Sequence, residues 1–188
     1  MAKRKGVLRT RDIEAEGINR VTLARLVNEG ILQRVGRGLY AFPDAAITEH
    51  HALAQVAARV PTGIVCLLSA LQFHKLSTQS PHEVWLAIGT KARKPAFDWP
   101  PLHIVRFSEA ARAHGVEVHS IEGRPVRITS PEKTVADCFK YRNKIGLDVA
   151  VEALTEYRRR RGSVDALMHA AKVDRVAVVL RPYLEAIA

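Results

Sequence analysis

Thr10-Arg-Asp-Ile-Glu-Ala-Glu-Gly-Ile-Asn-Arg-Val-Thr-Leu-Ala-Arg-Leu-Val-Asn-Glu-Gly30, running straight into Ile31-Leu-Gln-Arg-Val-Gly-Arg-Gly-Leu-Tyr-Ala-Phe42, is the stretch on which the reading of the fold turns. Thr10 stands where a hydroxyl can N-cap a short helix over residues 11–16, and Gly17 ends that helix as a C′ glycine does. Asn19 caps a second helix over residues 20–29, with Ile18 before the cap and Leu23 after it at the spacing of a hydrophobic staple. Leu23, Leu26 and Val27 make one apolar stripe, and Gly30 stops the helix. Residues 31–42 then read as strand, tight turn and strand, with Gly36-Arg37-Gly38 as the turn. Two short helices about a glycine turn, followed by a hairpin, is the order of a winged helix-turn-helix. Such modules usually carry a further helix in front, and six residues precede Val7 here. The module is therefore expected either to be minimal or to draw its missing packing from the rest of the chain.

Working outward, Pro43-Asp44 breaks the pattern, and the division expected is a DNA-binding unit over residues 1–45 and a larger unit over 46–188. Helical patterns resume over 48–59 and 64–75. Residues 83–88, 102–107, 116–121 and 125–128 are short, β-branched and separated by turn residues, so they read as strands. Ser108 is placed to cap a short helix reaching His114. Ser130-Pro131-Glu132 is a strong helix start, with a capping hydroxyl, proline at the first position and an acid near the positive end. Val135, Cys138 and Phe139 are its buried stripe, and Gly146 closes it. Further helices are expected over 148–160, 164–171, 174–180 and 182–187. The fold class expected is α+β: the N-terminal winged helix-turn-helix, then a mixed part with a small sheet and a helical C-terminal portion.

Composition narrows the function. A hydrophobic fraction of 47% supports a real core. No apolar run approaches the roughly 18–20 residues a membrane span needs, and the charged start lacks the apolar stretch of a secretory signal, so a cytoplasmic protein is expected, with no membrane partner. Cys66 and Cys138 lie far apart in apolar patterns and read as buried thiols. The net charge of +10 favours a polyanionic partner. Residues 1–45 carry nine Lys and Arg against five Asp and Glu, and residues 46–188 carry twenty against fourteen, so the short N-terminal part is the richer per residue.

Side chains off the apolar stripe of the second helix are Arg20, Thr22, Arg25 and Asn28. In a helix-turn-helix the start of this helix meets base edges in the major groove, where arginine bonds guanine through two hydrogen bonds and threonine packs on a thymine methyl. Asn19 or Thr22 could equally bond phosphate at the helix N-terminus. Arg34 and Arg37 belong to the hairpin and can reach the backbone or minor groove, as can Lys3, Arg4 and Lys5. The DNA-binding residues expected are thus Asn19, Arg20, Thr22, Arg25, Arg34 and Arg37; the plain alternative is a solvated polar face with one capping asparagine. Gly36 and Gly38 are expected to serve turn geometry. The basic run 91–94 falls in a loop after a strand. Lys140, Arg142 and Lys144 stand at a helix C-terminus, where cations offset the dipole. The four arginines 158–161, also at a helix end, exceed what the dipole asks for and could meet phosphate or a partner.

No cofactor motif appears, and no catalytic or metal site is expected. His50-His51 beside Glu49 lacks metalloprotease spacing. Glu83, Glu117, Glu122, Glu132 and Asp137 qualify as metal-binding carboxylates by type only; Glu132 suits its helix N-terminus, and Asp137, beside the stripe, suits a buried structural hydrogen bond. Ser69 lacks the flanking glycines of a nucleophile elbow.

Three stretches together resemble a known family. They are Leu8-Arg-Thr-Arg-Asp-Ile13 with Leu26-Val-Asn-Glu-Gly-Ile-Leu32 and Val35-Gly-Arg-Gly-Leu-Tyr40; Cys66-Leu-Leu-Ser-Ala-Leu-Gln-Phe-His-Lys-Leu76; and Ile128-Thr-Ser-Pro-Glu-Lys-Thr-Val-Ala-Asp-Cys-Phe139 with Lys144-Ile-Gly146. In this order they resemble the AbiEi-type antitoxins of bacterial type IV toxin–antitoxin (abortive infection) systems. The resemblance implies that the N-terminal module binds inverted repeats in operator DNA as an autorepressor, with contacts at Arg20, Thr22, Arg25, Arg34 and Arg37. It also implies that the second part counteracts a nucleotidyltransferase toxin without catalysis of its own. The alternatives are a protein–protein interaction module on a winged-helix scaffold, an orphan transcriptional regulator without a toxin, and a nucleic-acid-processing enzyme.

Overall fold

The computed structural model describes residues 6–43, 48–96 and 99–187. The first elements are β1 (Leu8–Arg9), α1 (Thr10–Ala15), α2 (Arg20–Asn28), β2 (Gln33–Gly36) and β3 (Leu39–Ala41). They form an antiparallel sheet in the order β1-β3-β2, with Leu8 opposite Tyr40 and Gln33 opposite Ala41, and an irregularity between Arg34 and Gly36. The strand β1 is absent from the sequence reading, because two residues have no period to detect. Thr10 is a correction. The capping position is Arg9, and Thr10 is the first helical residue, its amide and its hydroxyl both directed to the carbonyl of Gly38 (3.1 and 3.4 Å). The hydroxyl ties α1 to the hairpin turn instead of capping the helix.

The chain continues through α3 (His51–Arg59), β4 (Ile64–Val65), α4 (Leu67–His74), β5 (Val84–Gly89), β6 (Leu102–Phe107), α5 (Glu109–Ala113), β7 (Val116–Ile121) and β8 (Arg124–Thr129). It ends with α6 (Pro131–Lys140), α7 (Arg142–Ile145), α8 (Leu147–Arg159), α9 (Val164–Val173) and α10 (Ala177–Ala186). A five-stranded mixed sheet runs β6-β5-β4-β8-β7. Its central strand β4 corrects the helix expected over 64–75: the apolar run splits into a strand and a helix at Leu67, whose φ of 48° turns the chain.

Both faces of the sheet are covered, so β5 is apolar at nearly every position. Val84, Leu86 and Ile88 face a cluster with Leu53 and Val56 of α3. Trp85 and Ala87 face the larger cluster, built from helices including α4, α6, α8 and α9. Cys66 and Cys138 are buried thiols. Ser108 caps α5 through a bond from the Ala111 amide, as read from the sequence. Ser130 does not cap with its side chain; its hydroxyl donates to Glu132 (2.6 Å) over Pro131. The two helices expected over 174–180 and 182–187 are one, α10, with Pro182 inside it. Interior proline costs a helix roughly 3 kcal/mol, here set against the burial of Leu180 and Leu184. Asp174 starts no helix: it ends α9, and its carboxylate turns to Lys133.

The packing that the N-terminal elements lack among themselves comes from α3. Val7 and Leu39 are buried against Ala58, with Val35 beside them. Asp44 of the expected boundary and the basic arm of Lys3, Arg4 and Lys5 fall outside the described residues. Among the described residues no helix is long and apolar enough to cross a membrane.

Candidate nucleic-acid interface

Local chemistry sets the position of α2. Gly17 adopts φ of 86° in the turn after α1, a conformation that disfavours a side chain. Asn19 then accepts the Thr22 amide through its side-chain oxygen at 2.8 Å, as the sequence reading expects. Leu23, 2% exposed, seats the helix against Ile13 and Leu32, with Ile18, Leu26 and Val27 partly buried around it. Past Gly30, the amides of Ile31 and Leu32 return to the Leu26 carbonyl (2.9 and 3.1 Å) and close the helix.

With Leu23 inward, the opposite face presents Val21, Arg25 and Asn28, flanked by Arg20 and Ala24, all exposed. Thr22 sits at the flank, half-buried, with its amide engaged by Asn19. Val21, 80% exposed, is the residue the sequence reading missed; a valine two positions before Leu23 falls on the opposite side of the helix, and that spacing was the available signal. Arg20 donates to Glu14 at 2.8 Å, and Arg25 lies 3.6 Å from Glu29. Exposed pairs of this kind contribute about 0–1 kcal/mol, so phosphate can displace them.

On the hairpin, Arg34 is exposed and donates to the Gly36 carbonyl at 3.3 Å. Arg37, also exposed, stands at the turn beside Gly38, whose φ is 70°. Gly36 serves more than the turn, since a Cβ there would stand 2.8 Å from the Arg59 guanidinium. Arg37 lines an open groove of about 490 Å³ with Arg9, Arg11, Arg59, Pro95 and Ala96, and no residue of α2 lines it. The expected residues therefore divide between two places: Asn19, Arg20, Thr22 and Arg25 on α2, and Arg34 and Arg37 on the hairpin. Arg9 and Arg59 were not anticipated in the groove, because the chain brings them there from β1 and α3.

The remaining candidates are dispersed. Glu83 meets His103, Glu117 meets His119, Glu122 meets His51, Glu132 meets Ser130 and Asp137 meets Lys133. Among the described residues no three His, Cys, Asp or Glu gather in a way that could hold a metal ion. In the run 158–161, Arg158 donates to the Gly162 carbonyl, Arg159 pairs with Glu156, and Arg160 holds Glu156 and the carbonyls of His74 and Lys75. Arg158 and Arg159 thus bond within the end of α8, and Arg160 fastens that end to the end of α4. Lys91, Arg93 and Lys94 are exposed.

Fold and surface together define a mixed α+β protein whose N-terminal elements present a basic helix face and a basic hairpin. Residues 2–43 match the family described as transcriptional regulator, AbiEi antitoxin, so the family resemblance holds over that segment. In fold the chain is similar to the crystal structure of the RV2827C protein from Mycobacterium tuberculosis, with a TM-score of 0.56 and 14% identity over 97% of this chain and 76% of that one. No curated protein matches the chain in sequence.

Proposed function

We propose that the chain is a sequence-specific DNA-binding transcriptional regulator of the antitoxin type, with residues 8–41 working as a winged helix-turn-helix. The observation that carries this reading is the outward face of α2, capped by Asn19 and bearing Arg20, Val21, Arg25 and Asn28, on a segment that matches a transcriptional-regulator family. In this reading α2 lies in the major groove. Arg25 bonds a base edge, Val21 packs on a thymine methyl, and Arg20, with Asn19 and Thr22 at the helix start, meets phosphate. The hairpin is the wing, and Arg34 and Arg37 follow the backbone. Residues 1–45 form the DNA-binding unit. Residues 46–188 counteract a nucleotidyltransferase toxin in the cytoplasm, without catalysing a reaction.

A protein-docking reading of the same face draws on Val21, an exposed valine between two arginines that already hold acidic partners. Two variants separate the readings in fluorescence anisotropy on a duplex from upstream of the protein's own coding sequence. Arg25→Ala is expected to weaken binding by about 1–3 kcal/mol and to relax preference at one base pair. Arg37→Ala is expected to weaken binding evenly across sequences and to lower the salt slope by about one. Unchanged binding by both variants would favour docking.

A further inference from the structure

The turn between β7 and β8 reaches the N-terminal elements with one side chain, Arg124, and one carbonyl, while the Glu122 carboxylate ties the turn to the start of α3. Glu122 and Gly123 both have positive φ (50° and 72°), the tight hairpin turn that aims Arg124 at α1. Arg124, its side chain 9% exposed, donates from Nε to the Val7 carbonyl (2.5 Å) and from Nη1 to Asp12 of α1 (2.9 Å). Asp12 also receives Nε and Nη2 of Arg9, each at 3.0 Å. The Glu122 carbonyl accepts the Gly6 amide (2.6 Å). Its carboxylate, 2% exposed, accepts the amide and hydroxyl of Thr48 (2.9 and 3.1 Å) and meets Nδ1 of His51 (2.8 Å). Gly6 makes the approach possible, since a Cβ there would lie 2.5 Å from the Glu122 Cβ.

We propose that Asp12 and Arg124 are positioning residues for DNA binding, an ionic latch that fixes α1, and through it α2, against the sheet of the larger part of the chain. The proposal rests on the DNA-binding reading above. Arg124 is too buried to meet phosphate, and Asp12, an acid, would repel it, so neither can aid DNA binding by contact. Their effect is transmitted through the orientation of the helices. Removing Asp12 leaves the nearly buried Arg124 guanidinium without a counter-charge, which is costly, and removing Arg124 cuts the tie between the β7–β8 turn and α1 while Asp12 keeps Arg9. The larger part of the chain thereby takes part in DNA recognition without touching DNA.

The test compares the full chain with Asp12→Ala, Arg124→Gln and the double variant, on the upstream duplex and on a scrambled one. Each single variant is expected to weaken specific binding on the order of tenfold, and the double variant no more than either single one, as for partners in one contact. The slope of log K against log salt is expected to stay unchanged, because that slope counts phosphates neutralised. Equal or tighter binding by Asp12→Ala, the result of simply deleting a negative charge near DNA, would overturn the proposal. So would a slope lowered by about one in Arg124→Gln. Amide hydrogen exchange gives a readout without DNA: in both single variants residues 6–13 are expected to exchange at least about tenfold faster, while β5 and β8 keep their protection. Unchanged exchange at 6–13 overturns the latch. If the unaltered chain fails to prefer the upstream duplex but the exchange result holds, the DNA reading falls and the latch stands. Gly6→Ala disturbs the same junction without altering charge and is expected to reproduce the exchange effect.

Discussion

Lys133 has no exposed surface, yet its ammonium is held by two acids, Asp137 at 2.5 Å and Asp174 at 2.6 Å, with the Phe107 ring 4.9 Å away. Burial alone would lower the lysine, but the charges and hydrogen bonds of the two aspartates outweigh it and keep Lys133 above its ordinary value. Burial pushes Asp137 well up. Lys133→Met leaves Asp137 without its cation in the core and Asp174 with Lys140 at 3.5 Å, so a loss of about 3–5 kcal/mol is expected in denaturant unfolding, read as a lower midpoint at unchanged slope. A loss under about 1 kcal/mol would contradict this account of the triad. Part of the triad was legible. The reading of Asp137 as a buried structural hydrogen bond holds, and Lys133 stands four residues before it on the same helix face. Asp174 was not legible, because it joins from 41 residues along the chain, and its own neighbours suggested a helix start. Asp12 belongs to the same scale: partial burial would raise its carboxyl, but Arg9 and Arg124 hold it below the usual value.

β6 and β7 span the residues expected of them, and α2 falls one residue short of its expected end, since each end of that helix carries its own chemistry, Asn19 at one and Gly30 at the other. The cap stabilises the helix locally, so Asn19→Ala is expected to cost about 1 kcal/mol of unfolding free energy, measured by urea titration. A cost near zero would mean that packing through Leu23 alone holds the helix start. Where boundaries depend on distant partners, the reading fails for a physical reason. β1 and β4 have two residues each and exist through pairing, Leu8 with Tyr40 and Ile64 with Ala87. The Ser130 hydroxyl has the right type and position to cap, but Glu132 competes for it; Thr10 stands one residue past the capping position, and its hydroxyl goes to Gly38. Pro182 ordinarily marks a break, and here α10 carries it within a helix that buries Leu180 and Leu184.

For the molecule as a whole, the mixed α+β class and the basic surplus were legible from composition and pattern. How the N-terminal elements join the rest was not. Val7 and Leu39 meet Ala58, and Asp12 meets Arg124 across 112 residues of chain, contacts that no local pattern encodes. The candidate site was legible in part. Arg20, Arg25, Arg34 and Arg37 are exposed as expected, whereas Thr22 gives the outer face of α2 to Val21. The central claim is that this surface reads a DNA sequence, and equilibrium binding tests it most directly. Anisotropy of a labelled duplex from the protein's own upstream region, titrated against a scrambled duplex of equal length at several salt concentrations, gives the specificity ratio at each. The account predicts a preference of about a thousandfold or more and an affinity that falls steeply and linearly in log salt; equal affinity for the two duplexes would contradict it.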